Sequence, residues 1–256
     1  MPRPDAFAEE RRRRIAQTVA ADGRVRLADL VREYGVTEPT IRRDLSVLEE
    51  RDLLRRTHGG AIAVGTDHAE PSVTDRSRRN RIAKDAIAVA CAAEIGAGDA
   101  VFLDTGTTVQ AVAARLTQPG LNVLTNSVGV ARVLADRADV RHTLLGGQLR
   151  TLGDSVTGPI ALENLARFTV GVAVLGATGV TGAGISVADL GEAQIKQAVL
   201  DRARKVVLAV DSSKFGITDF VGVCGLDRID VLVTEVANEQ VRDWCAEHGV
   251  EVRQTP

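Results

Sequence analysis

Five short stretches share a composition suited to holding an anion, and each follows an apolar run. They read DTGTT (104–108), TNS (125–127), GGQ (146–148), GATGVTGAG (176–184) and VDSSKFG (210–216). Glycine lets a backbone approach a ligand closely, hydroxyls and amides donate hydrogen bonds, and a following helix adds the positive end of its dipole. Lys214 supplies a charge. One such turn alone is an ordinary strand-to-helix loop. Five at equivalent positions point to a phosphate-bearing ligand. No GxxxxGK[ST] occurs, and no GxGxxG follows the first apolar run, which argues against P-loop and dinucleotide chemistry.

The second group lies in TEPTIRRDLSVLEERDLLRRTHGGA, residues 37–61. Thr37 is placed to cap a helix, with Pro39 in its first turn and Glu38 at the positive end of the dipole. Ile41, Leu45 and Leu48 form an i, i+4, i+7 stripe, leaving Thr40, Arg42, Arg43 and Ser46 off the buried face. Arginines near a helix start are placed to meet base edges and phosphates. Arg55, Arg56 and His58 surround a Gly-Gly turn between β-prone segments, where they could touch the DNA backbone.

Two further patterns stay open. The run Arg11 to Arg14 is a nucleic-acid patch or a solvated face balanced by Glu9 and Glu10 through Glu9/Arg13 and Glu10/Arg14 pairs. Glu192 and Lys196 are four apart on a predicted helix, as a surface salt bridge or at a pocket mouth.

The positioning elements follow from periodicity. Helices are predicted over 9–21, with Ile15, Val19 and Phe7 on one face, and over 27–34, with Leu27, Leu30 and Val31 inward and Gly35 as the stop. With the Thr37 helix and a hairpin from Leu53 to Val64, they make a winged helix-turn-helix over residues 1–64. Residues 65–80 lack periodicity and read as a linker. From 81 onward an Ala-rich helix leads into continuously apolar strands alternating with helices. This is an α/β fold with a mostly parallel sheet covered on both faces. Its ligands belong at the carboxyl ends of the strands.

Composition agrees. The chain has 256 residues, 45% hydrophobic but only 3% aromatic, so Val, Ala and Leu fill the core. Residues 1–64 carry 13 basic and 11 acidic side chains, and residues 65–256 carry 19 and 23, so DNA binding must rest on charge placement. Cys91, Cys224 and Cys245 show no metal-ligand or disulfide spacing. The amino terminus has no apolar leader and no run is long enough to span a bilayer, so a cytoplasmic protein without membrane or metal partners is expected.

TIRRDLSVLEERDLLRRTHGGA (40–61), FLDTGTT, TNS, LLGGQL, GATGV and VDSSKFG, in that order, resemble the DeoR family of bacterial transcriptional regulators. The resemblance covers nearly the whole chain. It implies an operator-binding winged helix-turn-helix, in which Thr37, Thr40, Arg42, Arg43, Arg55, Arg56 and His58 contact DNA. It also implies a sensor domain over 81–256, similar in fold to ribose-5-phosphate isomerase, that binds a phosphorylated sugar and releases DNA. Asp104, Gly106, Thr107, Thr108, Asn126, Ser127, Gly147, Lys196 and Lys214 are its expected effector residues, with no cofactor and a dimer or higher oligomer. The rival is an isomerase-like enzyme. Where such isomerases carry catalytic carboxylates, the matching positions read Thr178, Thr181 and Ile195, which leaves no general base. DRSRRNRIAKDA (75–86) is more basic than the family's usual stretch and is expected to add non-specific DNA affinity.

Overall fold

The computed structural model describes residues 4–51, 53–57, 59–63 and 72–255. His58, residues 64–71, and the side chains of Phe7 and Arg55 lie outside what it describes. The chain forms two compact units, Met1–Ala69 and Glu70–Pro256.

The first unit runs α1 (Pro4–Asp22), β1 (Arg24–Arg26), α2 (Leu27–Tyr34), α3 (Glu38–Glu50), β2 (Leu54–Thr57) and β3 (Gly60–Ala63). Gly35 ends α2 in the left-handed conformation, φ 62°, which a glycine adopts without a Cβ penalty. Ile15, Val19, Leu27, Leu30, Ile41, Leu45 and Leu48 form the core as expected, joined by Leu54 and Ala61. Strand β1 was not legible in the sequence. It is three residues long and makes the hairpin a three-stranded antiparallel sheet, β1-β3-β2. Gly60 makes that pairing feasible, because a Cβ there would run into the Val25 carbonyl.

The second unit begins earlier than the expected linker end. Within 65–80, Val73–Arg78 forms α4, capped by Ser72, whose hydroxyl accepts from the Asp75 amide at 3.1 Å. No long apolar stripe announces so short a helix, and its stop is Asn80 at φ 51°. Next come α5 (Arg81–Ala93), β4 (Ala100–Leu103), α6 (Thr107–Arg115), β5 (Asn122–Thr125), α7 (Val128–Leu134) and β6 (Arg141–Leu144). The GGQ stretch does not lead into a helix directly. It opens a hairpin, β7 (Gln148–Arg150) and β8 (Ser155–Thr157), before α8 (Pro159–Leu165). After β9 (Val170–Leu175), the GATGVTGAG stretch forms strands β10 (Gly179–Thr181) and β11 (Gly184–Val187) rather than a βα loop. The chain ends α9 (Leu190–Leu200), β12 (Ala203–Ala209), β13 (Val221–Cys224), β14 (Val231–Thr234), α10 (Glu239–His248) and β15 (Glu251–Gln254).

Seven strands form one parallel sheet in the order β15-β14-β12-β9-β4-β5-β6. Helices α5, α6 and α7 pack on one face against Val101, Leu103, Val123, Val172 and Val174. Helices α8, α9 and α10, with the small sheet β10-β11-β13, cover the other against Phe102, Leu124, Ala173, Leu175 and Leu208. Strand order reverses between β4 and β9. That switch point opens a crevice at the carboxyl ends, the usual place for a ligand in such sheets.

Candidate effector site and nucleic-acid interface

In the first unit, α3 presents its amino end to solvent. Thr37 occupies the cap position, yet its hydroxyl meets the Thr40 hydroxyl at 2.9 Å instead of a backbone amide. Arg42 and Arg43 are exposed. Arg42 is paired with Glu38 at 2.7 Å, whereas Arg43 makes no hydrogen bond or ion pair with the described residues. Arg56, on β2, turns back to α3: its amide donates to Glu49 Oε1 at 2.8 Å, its Nε lies 3.5 Å from Glu49, and its guanidinium reaches the Ser46 hydroxyl. It therefore fastens the wing to the helix. His58 and the Arg55 side chain fall outside the described residues.

The arginine run resolves into two pairs. Arg11 Nε and Arg12 Nε donate to the two oxygens of Asp44 at 2.7 and 2.8 Å. Asp44 is only 1% exposed and sits on α3, so this pair clamps α1 to α3. Arg13 and Arg14 are solvated and both meet Glu10. Glu9 turns to Arg12 and Arg51, not to Arg13. A lone buried carboxylate among charged neighbours leaves no periodic mark, so sequence reading missed the clamp.

In the second unit, the effector candidates gather at the switch point. Asp104 follows β4 and is fully buried. Its Oδ2 accepts from the Gly176 amide after β9 at 3.0 Å and from Lys196 Nζ on α9, while its Oδ1 has no partner among the described residues. Asn126 follows β5, next to Asp104 across the ladder whose last pair is Leu103 and Thr125. Its Nδ2 donates to the Val156 carbonyl at 3.5 Å, and its Oδ1 likewise has no partner among the described residues. Flipping the amide would set oxygen against oxygen, so the orphan is an acceptor. Buried acceptors without donors are uncommon and ask for a hydroxyl.

Glu192 and Lys196 are both buried, at 5% and 2% exposure, and Lys196 turns to Asp104. Burial on α9 puts them on the inner face, which corrects the surface salt bridge reading. Glu192 accepts from the Ser155 hydroxyl at 2.7 Å and from Arg150 at 3.3 Å. Arg150 also meets Asp189, which caps α9 through the Glu192 amide at 3.0 Å. Ile195 is a core residue. The carboxylate that α9 brings to the crevice is Glu192, three residues earlier. Thr178 and Thr181 serve the small sheet: the Thr178 hydroxyl donates to the Ser186 carbonyl, and that of Thr181 accepts from Ala183.

The phosphate-type turn is open. Gly106, at φ 122°, precedes α6 and provides no side-chain cap. Thr107 and Thr108 start the helix; the Thr107 hydroxyl donates to the Arg76 carbonyl at 3.5 Å, and Thr108 is buried. A cationic rim lies beside it. Lys84 Nζ also donates to the Arg76 carbonyl. Burial lowers the Lys84 pKa, against the attraction of Asp211. Burial pushes Asp211 up, but the Ser213 side chain, Lys214, Asn80 and Lys84 outweigh it and leave the carboxyl below its ordinary value. Lys214 belongs to this rim through its charge beside Asp211.

Two candidates do mainly structural work. Ser127 caps α7, accepting from the Val130 amide at 3.2 Å. Gly147, at φ 152°, lets the β6–β7 turn lie against β8 and α8, since a Cβ would sit 2.7 Å from the Thr157 carbonyl. Arg76, Lys84, Arg150 and Ser155 went unread because none lies in an anion-binding motif. Only their placement between elements reveals them.

Comparisons with known proteins agree along the chain. The family profile described as "DeoR-like helix-turn-helix domain" matches residues 11–66, and that described as "DeoR C terminal sensor domain" matches residues 79–236. The chain is 34% identical over 228 residues to the glycerol-3-phosphate regulon repressor of Escherichia coli (strain K12), covering 88% of this chain and 90% of that one. It is 32% identical over 247 residues to the HTH-type transcriptional repressor GlcR of Bacillus subtilis (strain 168), 96% of each. Among solved structures, ribose 5 phosphate isomerase A from Neisseria gonorrhoeae matches at TM-score 0.39 and 18% identity over 53% of each chain. The translation initiation factor eIF-2B of Pyrococcus horikoshii OT3 matches at TM-score 0.42 and 19% identity, over 55% of this chain and 50% of that one. With a helix-turn-helix unit whose α3 is clamped to α1, and a parallel sheet with a polar crevice at its switch point, the chain belongs to the DeoR family of transcriptional regulators.

Proposed function

We propose that this regulator binds a double-stranded operator through Thr37, Thr40, Arg42 and Arg43 on α3. We propose further that it represses sugar-metabolism genes and releases DNA when a phosphorylated sugar occupies the crevice. The observation that carries the effector reading is the pair of buried acceptors without a partner among the described residues, Asp104 Oδ1 and Asn126 Oδ1, beside the α6 amino terminus, which has no side-chain cap. The acceptors suit sugar hydroxyls, and the Gly106–Thr108 amides with the Lys84 and Lys214 charges suit a phosphate. The relatives' names fit: one is a glycerol-3-phosphate regulon repressor and another, from Streptococcus mutans, a lactose phosphotransferase system repressor. An enzyme is disfavoured because Glu192 is held by Ser155 and Arg150 and Asp104 by Lys196, so neither is a free base. A cytoplasmic homo-oligomer, dimer or larger, completes the reading, since operators with two half-sites call for two DNA-binding units.

The test is fluorescence anisotropy with DNA from upstream of the protein's own gene, at stated salt. The panel is glycerol 3-phosphate, fructose 1-phosphate, glucose 6-phosphate, ribose 5-phosphate and inorganic phosphate. Tight binding released by one sugar or polyol phosphate is expected, with Lys214→Ala keeping apo affinity and a blunted response. Absence of DNA binding together with turnover of ribose 5-phosphate would favour the enzyme.

A further inference from the structure

The rim of the crevice contains a contact that no effector-binding motif accounts for. Two donors suited to a phosphate, Lys84 Nζ and Thr107 Oγ1, both point at the Arg76 carbonyl of α4. Lys84 is 7% exposed, so its ammonium is largely shut off from water. Thr107 starts α6, where the effector phosphate belongs in the reading above, and its bond to Arg76 is long at 3.5 Å and readily exchanged. The Arg76 guanidinium also donates to the Leu152 carbonyl at 3.1 Å. Leu152 lies in the 151–154 turn, which is held over the carboxyl ends of β4 and β5. There the Thr105 hydroxyl donates to the Gly153 carbonyl at 2.8 Å, and the Val128 amide to the Asp154 carbonyl at 3.0 Å. Helix α4 therefore touches both sides of the crevice mouth. It is also the first described element after residues 64–71, through which the chain reaches the DNA-binding unit.

We propose that α4 is the relay of effector occupancy: its Arg76 carbonyl holds the donors that an effector phosphate needs, and the phosphate displaces it. A dianion is the stronger acceptor for an ammonium and a hydroxyl than a neutral carbonyl. Once Lys84 and Thr107 turn to the phosphate, α4 loses two of its ties to the crevice, while the Arg76–Leu152 bond remains. The binding event thus reaches the segment leading to the DNA-binding unit. Arg76 is a positioning residue, not an effector ligand, and the inference rests on the sugar-phosphate reading. Coupling of this kind is reciprocal and typically 5- to 150-fold.

Two measurements on the full chain test it with the panel compounds. In the first, operator and compound affinities are measured separately for the wild type and for Arg76→Ala, which keeps the main-chain carbonyl but removes the guanidinium bond to Leu152 that seats α4 over the crevice. The expected result is that Arg76→Ala keeps both affinities within about threefold of wild type. The loss of DNA affinity caused by the active compound should fall from tenfold or more to less than threefold. A merely structural role would lower both affinities and spare their ratio. The second is amide hydrogen exchange on the wild type. The active compound should slow exchange at 106–110 and speed it at 73–79. Slowed exchange at 106–110 with 73–79 unchanged, or an Arg76→Ala chain with wild-type coupling, overturns the relay alone. A wild-type chain whose DNA affinity ignores every compound overturns the effector reading and the relay together.

Discussion

Replacing Asp44 with Asn tests the clamp that sets α3 on the first unit. Asp44 is buried and accepts one charge-assisted bond from each of Arg11 and Arg12. Asn keeps the shape, removes the charge and sets an NH2 against one guanidinium. One charge-assisted bond is lost and a donor is left facing a donor; the other bond becomes neutral on its acceptor side. Bonds to charged groups are worth about 1.5–3 kcal/mol each, and breaking a buried pair costs about 3–5 kcal/mol. A unit of this size has roughly 3–10 kcal/mol in total, so most of its stability should go. The single Tyr34 and the single Trp244 fall in different units, which supplies the assay. In urea unfolding, the Tyr34 near-ultraviolet transition should move by about 3–5 kcal/mol while the Trp244 emission transition stays put. A Tyr34 shift below about 1 kcal/mol, the worth of an exposed ion pair, would refute the clamp. Equal shifts of both probes would refute its local character.

Further outcomes follow from other contacts. Lys196→Met leaves the Asp104 carboxylate buried without its counterion and should cost about 3–5 kcal/mol in the Trp244 transition, with Lys196→Met/Asp104→Asn recovering part of it. Arg42→Ala should weaken specific operator binding by about 1–3 kcal/mol in the anisotropy assay. Its partner Glu38 is exposed, so the Tyr34 transition should barely move. The Asp211 carboxyl lies below its ordinary 3.8 in the folded chain, so its ionised form stabilises the fold above that value. The stability gap between wild type and Asp211→Asn should be full at neutral pH and close as pH falls below 3.8. Burial raises the thiols of Cys91 and Cys224 to about 12 and about 11. Mass spectrometry after iodoacetamide at pH 8 should find Cys91 unmodified in the native chain, and rapid labelling would contradict the burial.

Local pattern determined a good deal. Ile15, Val19, Leu27, Leu30, Ile41, Leu45 and Leu48 announce three helices and their shared core because 3.6-residue spacing puts them on one stripe each. The runs AVFL, NVLT and VGVAVL announce strands covered on both faces because only a buried parallel strand tolerates unbroken apolar sequence. Gly106 and the threonines after it mark an open helix start for the same local reason. What tertiary structure decided was the pairing of charges. Asp44 with Arg11 and Arg12, Asp104 with Lys196, Glu192 with Ser155 and Arg150, and the Arg76 carbonyl with Lys84 join residues 8 to 92 positions apart. A charge carries no periodicity that says whether it faces water or a partner. Only the approach of two elements, at a crevice opened by the order of strands, fixes which it is. For that reason the sequence alone left Glu192 and Lys196 open between a surface pair and a pocket mouth and read residues 65–80 as linker, where folding buries both side chains and makes Val73–Arg78 a capped helix at the crevice mouth.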